Sequence, residues 1–189
     1  MLELRRMSES EIRLLYNSSL VRDFPASELK SLSAIMALHC RGEYDVLGGY
    51  QNETMVAYAL IYRPCDDSVV LLDYLAVEPD YRSKGVGSTL LTALRLHYAG
   101  SVDALMIECE RPKTAPDELQ ARKRIGFYTR AGAVLTDVKI WLFGVEYSIL
   151  VLPCSDGVPE FDCAQRMLSL YQRMLPVDLY ASNVKLIKS

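Results

Sequence analysis

A basic, glycine-containing loop at residues 82–87 has the clearest potential for binding chemistry in the sequence. It places two cations, Arg82 and Lys84, beside Gly85 and Gly87, directly before an apolar helical pattern. Glycines free the backbone to curl, so consecutive N–H groups can point at one spot. The N-terminus of the following helix adds partial positive charge there. The loop therefore predicts a site for an anion, most naturally a di- or polyphosphate.

Two common nucleotide-binding motifs do not fit this loop. A Walker loop has its lysine after the second glycine, whereas Lys84 precedes Gly85. A dinucleotide-binding fingerprint needs a third glycine three residues after Gly87, where Leu90 stands. Taken alone, the loop could also be a basic surface turn that caps a helix.

The loop lies between a predicted strand and a predicted helix. Residues 69–77 form an apolar run typical of a buried strand, and a helical stripe that includes Leu90 and Leu94 follows the loop. Residues 102–110 predict another strand. A strand, a helix and a strand in this order are expected to give a parallel pair with a right-handed crossover.

The rest of the chain predicts an α/β protein with a mixed, twisted central sheet of about six to seven strands, flanked by helices. We expect one domain over residues 1–153 and a C-terminal helical extension over 154–189. The extension carries an apolar stripe that should pack on the domain or on a second subunit: Phe161, Ala164, Leu168, Tyr171 and Leu175. The other predicted elements are strand 3–6, helices 8–20 and 27–40, strands 43–51 and 54–62 with a turn at 52–53, helix 114–130, strands 133–138 and 144–152, and helix 159–175.

Two segments resemble the GNAT acetyltransferase superfamily. Residues 73–77 lead into the loop 82–87, which resembles the family's Arg/Gln-x-x-Gly-x-Gly/Ala motif, and residues 124–133 contain Phe-Tyr-x-x-x-Gly. The two segments have the expected spacing around an intervening strand. The resemblance covers roughly residues 3–152, and it implies a single GNAT-like domain that transfers an acetyl group from acetyl-coenzyme A to an amine.

The resemblance also assigns residues to the cofactor, which serves as the acyl donor. The backbone of Leu75, Ala76 and Val77 would bind the pantetheine arm. The pyrophosphate would be held by the loop and the first helical turn, namely Arg82, Ser83, Lys84, Gly85, Val86, Gly87 and Ser88. One position departs from many relatives, which have Asn seven residues before the tyrosine, where this chain has Ala121.

For catalysis, the resemblance implies that Tyr128 protonates the leaving thiolate. The alternative is a buried tyrosine that anchors its helix to the sheet. The amine must lose a proton, and Glu108 and Glu110 share one side of a strand, roughly 7 Å apart. Asp73 stands on the preceding strand, where it could help bind a cationic acceptor. Any of the three acids could act as the base. Equally, Glu110 could be a solvated strand end, and Asp73 could cap a turn or pair with an arginine.

Composition and charge limit the partners, the location and the metal content that we expect of this protein. The chain has 189 residues and a net charge of −3, which gives no reason to expect a nucleic-acid partner. No apolar run reaches the ~20 residues of a membrane span, and no signal peptide is visible, so we expect a cytoplasmic protein without a membrane partner. Five scattered cysteines and two histidines predict no metal site. The assembly is expected to be a monomer or a homodimer.

Two alternative functions stay open at this point. The same fold could transfer a longer acyl group, because the pocket for the acyl chain cannot be sized from the sequence. The chain could also be a non-catalytic module that binds acyl-coenzyme A and regulates another process. The loop fits all of these functions, whereas Tyr128 favours an enzyme.

Overall fold

The computed structural model describes residues 2–155, 157 and 159–187. The distribution of contacts divides the chain into two compact units. One consists of Met1–Asp66 and Leu72–His97, and the other consists of Asp67–Leu71 and Tyr98–Ser189. The two units are called the first and the second unit below.

The strands of the first unit, which includes residues 72–77 of β4, follow the order β1-β2-β3-β4, and β2 is antiparallel to both β1 and β3. The helix α1 begins at a capping box, in which Ser8 and Glu11 each bond the other's backbone N–H. The β2–β3 hairpin turns at Asn52 and Glu53, whose φ angles of 48° and 65° suit a tight two-residue turn. The elements are β1 (Glu3–Arg6), α1 (Glu9–Leu15), a π-helical turn (Tyr16–Leu20), α2 (Val21–Asp23), α3 (Leu32–Cys40), β2 (Tyr44–Gln51), β3 (Thr54–Tyr62), β4 (Val69–Val77), a 3₁₀ turn (Pro79–Tyr81) and α4 (Val86–Tyr98).

In the second unit the strands follow the order β5-β7-β6-β8, and each neighbouring pair is antiparallel. The β6–β7 hairpin turns at Phe143 and Gly144, with φ angles of 46° and 92°. The elements are β5 (Ala104–Glu110), α5 (Glu118–Arg130), β6 (Val134–Leu142), β7 (Val145–Pro153), α6 (Cys163–Met174), α7 (Val177–Asn183) and β8 (Val184–Leu186).

The predicted α/β class with a central mixed sheet is confirmed, and the sheet is larger than expected. The described residues form eight strands rather than six to seven, because the short β8 adds to β6 near the C-terminus. The helix expected over 114–130 begins only at Glu118. The reason is that Asp117 caps it by accepting the backbone N–H of Gln120 at 2.9 Å.

The C-terminal helix α6 packs against β6 and β8 of its own unit. Its buried face consists of Met167, Leu170, Tyr171 and Met174. Of the predicted stripe, only Tyr171 is fully buried, whereas Phe161, Ala164, Leu168 and Leu175 are half-buried. The difference arises because α6 begins at Cys163, after the Asp162 cap, and turns a neighbouring row of side chains inward. The predicted division into residues 1–153 and 154–189 stays a prediction.

Candidate functional site

The strand β4 changes character along its length. Its first four residues are fully buried, whereas Leu75, Ala76 and Val77 are half-buried. An apolar strand whose last residues are partly accessible can offer backbone groups to a ligand. These are the three residues to which the resemblance assigned the pantetheine arm.

The loop after β4 has the backbone shape of an anion cradle. Ser83 and Gly85 have φ angles of 60° and 79°, so the chain visits the left-handed region twice before α4 begins at Val86. The first intrahelical bond runs from the Thr89 N–H to the Gly85 carbonyl at 3.1 Å. Because the N–H groups of the first helical turn have no acceptor within the helix, those of residues 86–88 are available to a ligand. Residues 82–85 of the loop are exposed, whereas Val86 is buried and Gly87 is half-buried.

The two cations of the loop have different roles. The Arg82 Nε donates to the Val77 carbonyl at 2.9 Å, and its Nη2 lies 2.7 Å from Asp23 Oδ1. Arg82 therefore links the end of β4 to the helical segment before residue 24. The Lys84 ammonium lies 5.8 Å from the centre of the Tyr81 ring. Lys84 is exposed, and it forms no ion pair within the described part of the chain.

Asp23 is the buried centre of a charged network that the sequence did not reveal. Its side chain is 4% exposed, and it pairs with Arg22 and Arg82, each at 2.7 Å. The Tyr58 hydroxyl also donates to it at 2.8 Å. Burial by itself would raise the pKa of Asp23, but the hydrogen bonds from Arg22 and Tyr58 and the charge of Arg82 lower it overall. Asp23 is thus charged at neutral pH and anchors Arg82. No spacing rule relates it to a residue 59 positions away.

Asp73 is engaged within the first unit. Its side chain is 5% exposed, Lys30 Nζ lies 2.8 Å from Oδ1, and the Tyr44 hydroxyl donates to Oδ2. Pairing with a cation was one of the expected alternatives, although the partner is a lysine rather than an arginine. A part for Asp73 in binding the acceptor stays a prediction.

In the second unit, Tyr128 lies on α5 and is 8% exposed. Its ring packs edge-on against Phe127, with 4.9 Å between the ring centroids. Burial raises the pKa of Tyr128 well above its usual value of about 10, and the nearby Cys109 adds to the rise, whereas Arg124 opposes it. The hydroxyl therefore keeps its proton at neutral pH, which is the state required of a proton donor.

The two glutamates of β5 have different neighbours. Glu108 Oε2 accepts a hydrogen bond from the Tyr171 hydroxyl at 2.8 Å. Glu110 Oε2 lies 3.9 Å from Arg124 Nη1, beyond hydrogen-bonding distance. Cys109, between them, is fully buried, and burial raises the pKa of its thiol to about 12. The contact with Tyr171 was not foreseen, since only the apolar spacing of the C-terminal helix had drawn attention to that tyrosine.

The predicted site residues are thus distributed over both units. The first contains the residues assigned to acetyl-coenzyme A, together with Asp73. The second contains Tyr128, Glu108 and Glu110. Within the described ranges, no group of three or more His, Cys, Asp or Glu side chains could hold a metal ion, and no described helix is long and apolar enough to cross a membrane.

Solved acetyltransferase structures share this fold, and some of them are described as members of the GNAT family. A structure from Bacteroides thetaiotaomicron described as a GNAT-family acetyltransferase has a TM-score of 0.70, 18% identity, and coverage of 89% of this chain and 93% of its own. The ribosomal-protein-S18-alanine N-acetyltransferase of Escherichia coli has a TM-score of 0.61, 20% identity, and coverage of 86% and 99%. A dodecameric spermidine N-acetyltransferase from Vibrio cholerae has a TM-score of 0.60, 12% identity, and coverage of 82% and 94%.

The family itself is indicated by sequence. Residues 43–132 match the model of the acetyltransferase (GNAT) domain. The resemblance predicted from the sequence is therefore confirmed for this segment. No curated protein matches the chain by sequence. The matched segment contains the loop, Glu108, Glu110 and Tyr128, and it ends before α6.

Proposed function

We propose that this protein is an N-acetyltransferase that moves an acetyl group from acetyl-coenzyme A to a primary amine of a small molecule or a peptide. The observation that carries the proposal is the shape of the loop at residues 82–88. Two left-handed residues and the open N-terminus of α4 form an anion cradle, with the exposed Lys84 beside it. This loop lies inside the matched GNAT segment.

The proposed reaction is a direct attack without a covalent enzyme intermediate. A base removes a proton from the ammonium group, and the amine nitrogen then attacks the thioester carbonyl. The carbon–nitrogen bond forms, the attacking nitrogen releases its second proton to solvent, the carbon–sulfur bond breaks, and the thiolate takes a proton. We assign this last proton to Tyr128, whose hydroxyl stays protonated at neutral pH, and we assign the base to Glu108 or Glu110.

The acceptor class follows from the relatives and not from the geometry of this chain. One similar structure is named for an alanine of a ribosomal protein and another for spermidine, and both names denote transfer to an amine. A primary amine is the group they have in common. The cytoplasmic location and the monomeric or homodimeric state belong to the same proposal, as does chemistry without a metal.

The direct test measures release of the coenzyme A thiol with a colorimetric reagent. Purified protein is incubated with acetyl-coenzyme A and either spermidine, other small amines or peptides that begin with alanine. We expect thiol release that depends on one of these amines, and mass spectrometry should show an acceptor heavier by one acetyl group. Release that is equally fast without any amine, or none with any amine, would contradict the proposal.

A non-catalytic module that binds acyl-coenzyme A is a second candidate, and one observation favours it. Tyr128 is largely buried and packs edge-on against Phe127, which is the environment of a structural anchor. In that case acetyl-coenzyme A would bind through the loop, and no amine would be acetylated. Calorimetry with acetyl-, propionyl- and butyryl-coenzyme A would detect such binding. The same series in the thiol assay tests transfer of a longer acyl group.

A further inference from the structure

A contact from the C-terminal region reaches one of the candidate bases. Tyr171 lies on α6, which follows the matched segment 43–132, and its hydroxyl donates to Glu108 Oε2 at 2.8 Å. Glu108 lies within that segment, on β5. The C-terminal helix therefore contributes a polar group to a residue of the acetyltransferase domain.

The position of the Tyr171 ring is well determined by packing. The tyrosine is 4% exposed, and the neighbouring Met167, Leu170 and Met174 on the same helix are also buried. A side chain so enclosed has few rotamers available, because interiors are close-packed. Its hydroxyl is consequently held at a fixed point relative to β5.

The helix itself is anchored by charge. Asp67, whose side chain is 3% exposed, accepts hydrogen bonds from Arg166 Nη1 at both carboxylate oxygens, each at 3.0 Å, and a further one from the Val69 backbone N–H at 2.9 Å. Arg173, two turns further along α6, lies 3.8 Å from the same carboxylate. Contacts at two points on the helix, with Tyr171 between them, resist both rotation and sliding of α6. Such support is what orients a reactive group in a preorganised site.

We propose that Tyr171 is a positioning residue that holds Glu108 as the general base, and this inference rests on the proposed function. The alternative base, Glu110, lies 3.9 Å from its nearest cation, Arg124, which is too far to fix the direction of its carboxylate. Glu108, by contrast, has one oxygen bound by a rigid, neutral donor. A base must stay within hydrogen-bonding reach of the proton it removes, so the better-oriented acid is the better candidate.

A double-mutant cycle tests this inference. Tyr171→Phe keeps the ring and removes the hydroxyl, and it is made both in the parent and in Glu108→Gln. In the parent we expect kcat/KM for the amine to fall by about 10-fold, the order of one hydrogen bond to a charged group. In the Glu108→Gln background we expect no further loss, because the group that Tyr171 orients is already gone. The KM for acetyl-coenzyme A should not change.

The pH profile supplies a readout that a purely structural tyrosine would not alter. A hydrogen bond donated to a carboxylate favours its charged form, so Tyr171→Phe should shift the acid limb of kcat/KM to higher pH. Other titratable groups near Glu108 are its β5 neighbours Cys109 and Glu110, and Tyr147 on β7, which stands opposite Glu110 in the β5–β7 pair. These groups are unchanged in the variant.

Tyr180→Phe, at a half-buried tyrosine on α7, is the matched control and should leave the profile unchanged.

Further comparisons distinguish a loss of Glu108 positioning from a loss of stability and from a failure of the proposed function. Glu108→Asp shortens the acid and withdraws it from Tyr171 without altering α6, so it should reproduce the loss even where Tyr171→Phe lowers stability. Equal losses from Tyr171→Phe in both backgrounds, with an unmoved acid limb, would overturn the inference while leaving the acetyltransferase intact. Absence of amine-dependent turnover in the parent would contradict the proposed function, and the inference with it.

Discussion

Two acids, one in each unit, receive a tyrosine hydroxyl at the same distance. Tyr58 donates to Asp23 and Tyr171 donates to Glu108, both at 2.8 Å. Asp23 is in addition paired with two arginines, and its pKa is lowered as a result. The comparison shows how the same neutral donor can serve different purposes. Asp23, which is also paired with two arginines, is charged at neutral pH and holds Arg82 in place. Glu108 is the acid to which we assign proton exchange.

The largest effect is expected from a substitution of Tyr128 in the second unit. This substitution tests whether the protein is an enzyme or a non-catalytic binding module. Tyr128→Phe keeps the edge-on packing against Phe127 and removes the proton donor, so kcat should fall by about 10²–10⁴-fold. Steady-state kinetics measures this loss, and calorimetry should show nearly unchanged affinity for acetyl-coenzyme A. A large drop in melting temperature combined with intact turnover would instead make Tyr128 a structural anchor.

A substitution at Gly85 tests the cradle of the first unit. Its φ of 79° is strained for any other residue, and an added Cβ meets nothing within 4 Å, so the expected effect comes from the backbone. Since a left-handed β-branched residue costs about 1–3 kcal/mol, Gly85→Val should move the backbone of the loop and weaken acetyl-coenzyme A binding by roughly 10–100-fold. Isothermal calorimetry provides the measurement.

Gly42 offers the matched control for that experiment. It has a similar φ of 73° and equally open space around its Cβ, but it follows α3 rather than the loop. Gly42→Val should therefore lower stability to a similar extent and leave the affinity for acetyl-coenzyme A unchanged. Equal affinities of both variants and the parent would refute the cradle.

The smallest effect is expected from Asp23→Asn, and it concerns the free energy of unfolding rather than catalysis or binding. Both of its arginines are more than a third exposed, so solvent screening limits the loss in Asp23→Asn to about 1–2 kcal/mol. Because the folded-state pKa of Asp23 is lowered, its contribution is present above the unfolded value of about 3.9 and is lost as the pH falls below it. Urea titrations of both proteins from pH 7 to pH 2 test this expectation. The difference between parent and variant should shrink on acidification, and a constant difference would show that the Asp23 charge is irrelevant.

Local features of this protein could be predicted from the sequence because their interactions span only a few residues. The bounds of β4 at Val69–Val77 follow from an apolar run that only Asp73 interrupts. The turn at Asn52 and Glu53 follows from two residues typical of a tight turn between two β-type runs. The glycine loop and the start of α4 belong to the same category. Each depends on backbone preference and on side chains within one or two turns.

The sequence by itself therefore predicted the α/β fold class, the glycine loop before α4 and the resemblance to the GNAT superfamily, because the loop and the family motifs are short and contiguous. Tertiary structure alone decided which side chains pair. Asp23 meets Arg82 across 59 positions, and Tyr171 meets Glu108 across 63. Such contacts depend on the path of the whole chain. The sequence alone does not show which carboxylate is buried or which partner it has. For the same reason the predicted apolar stripe of α6 was displaced, because only packing against β6 and β8 determines which face of an amphipathic helix turns inward.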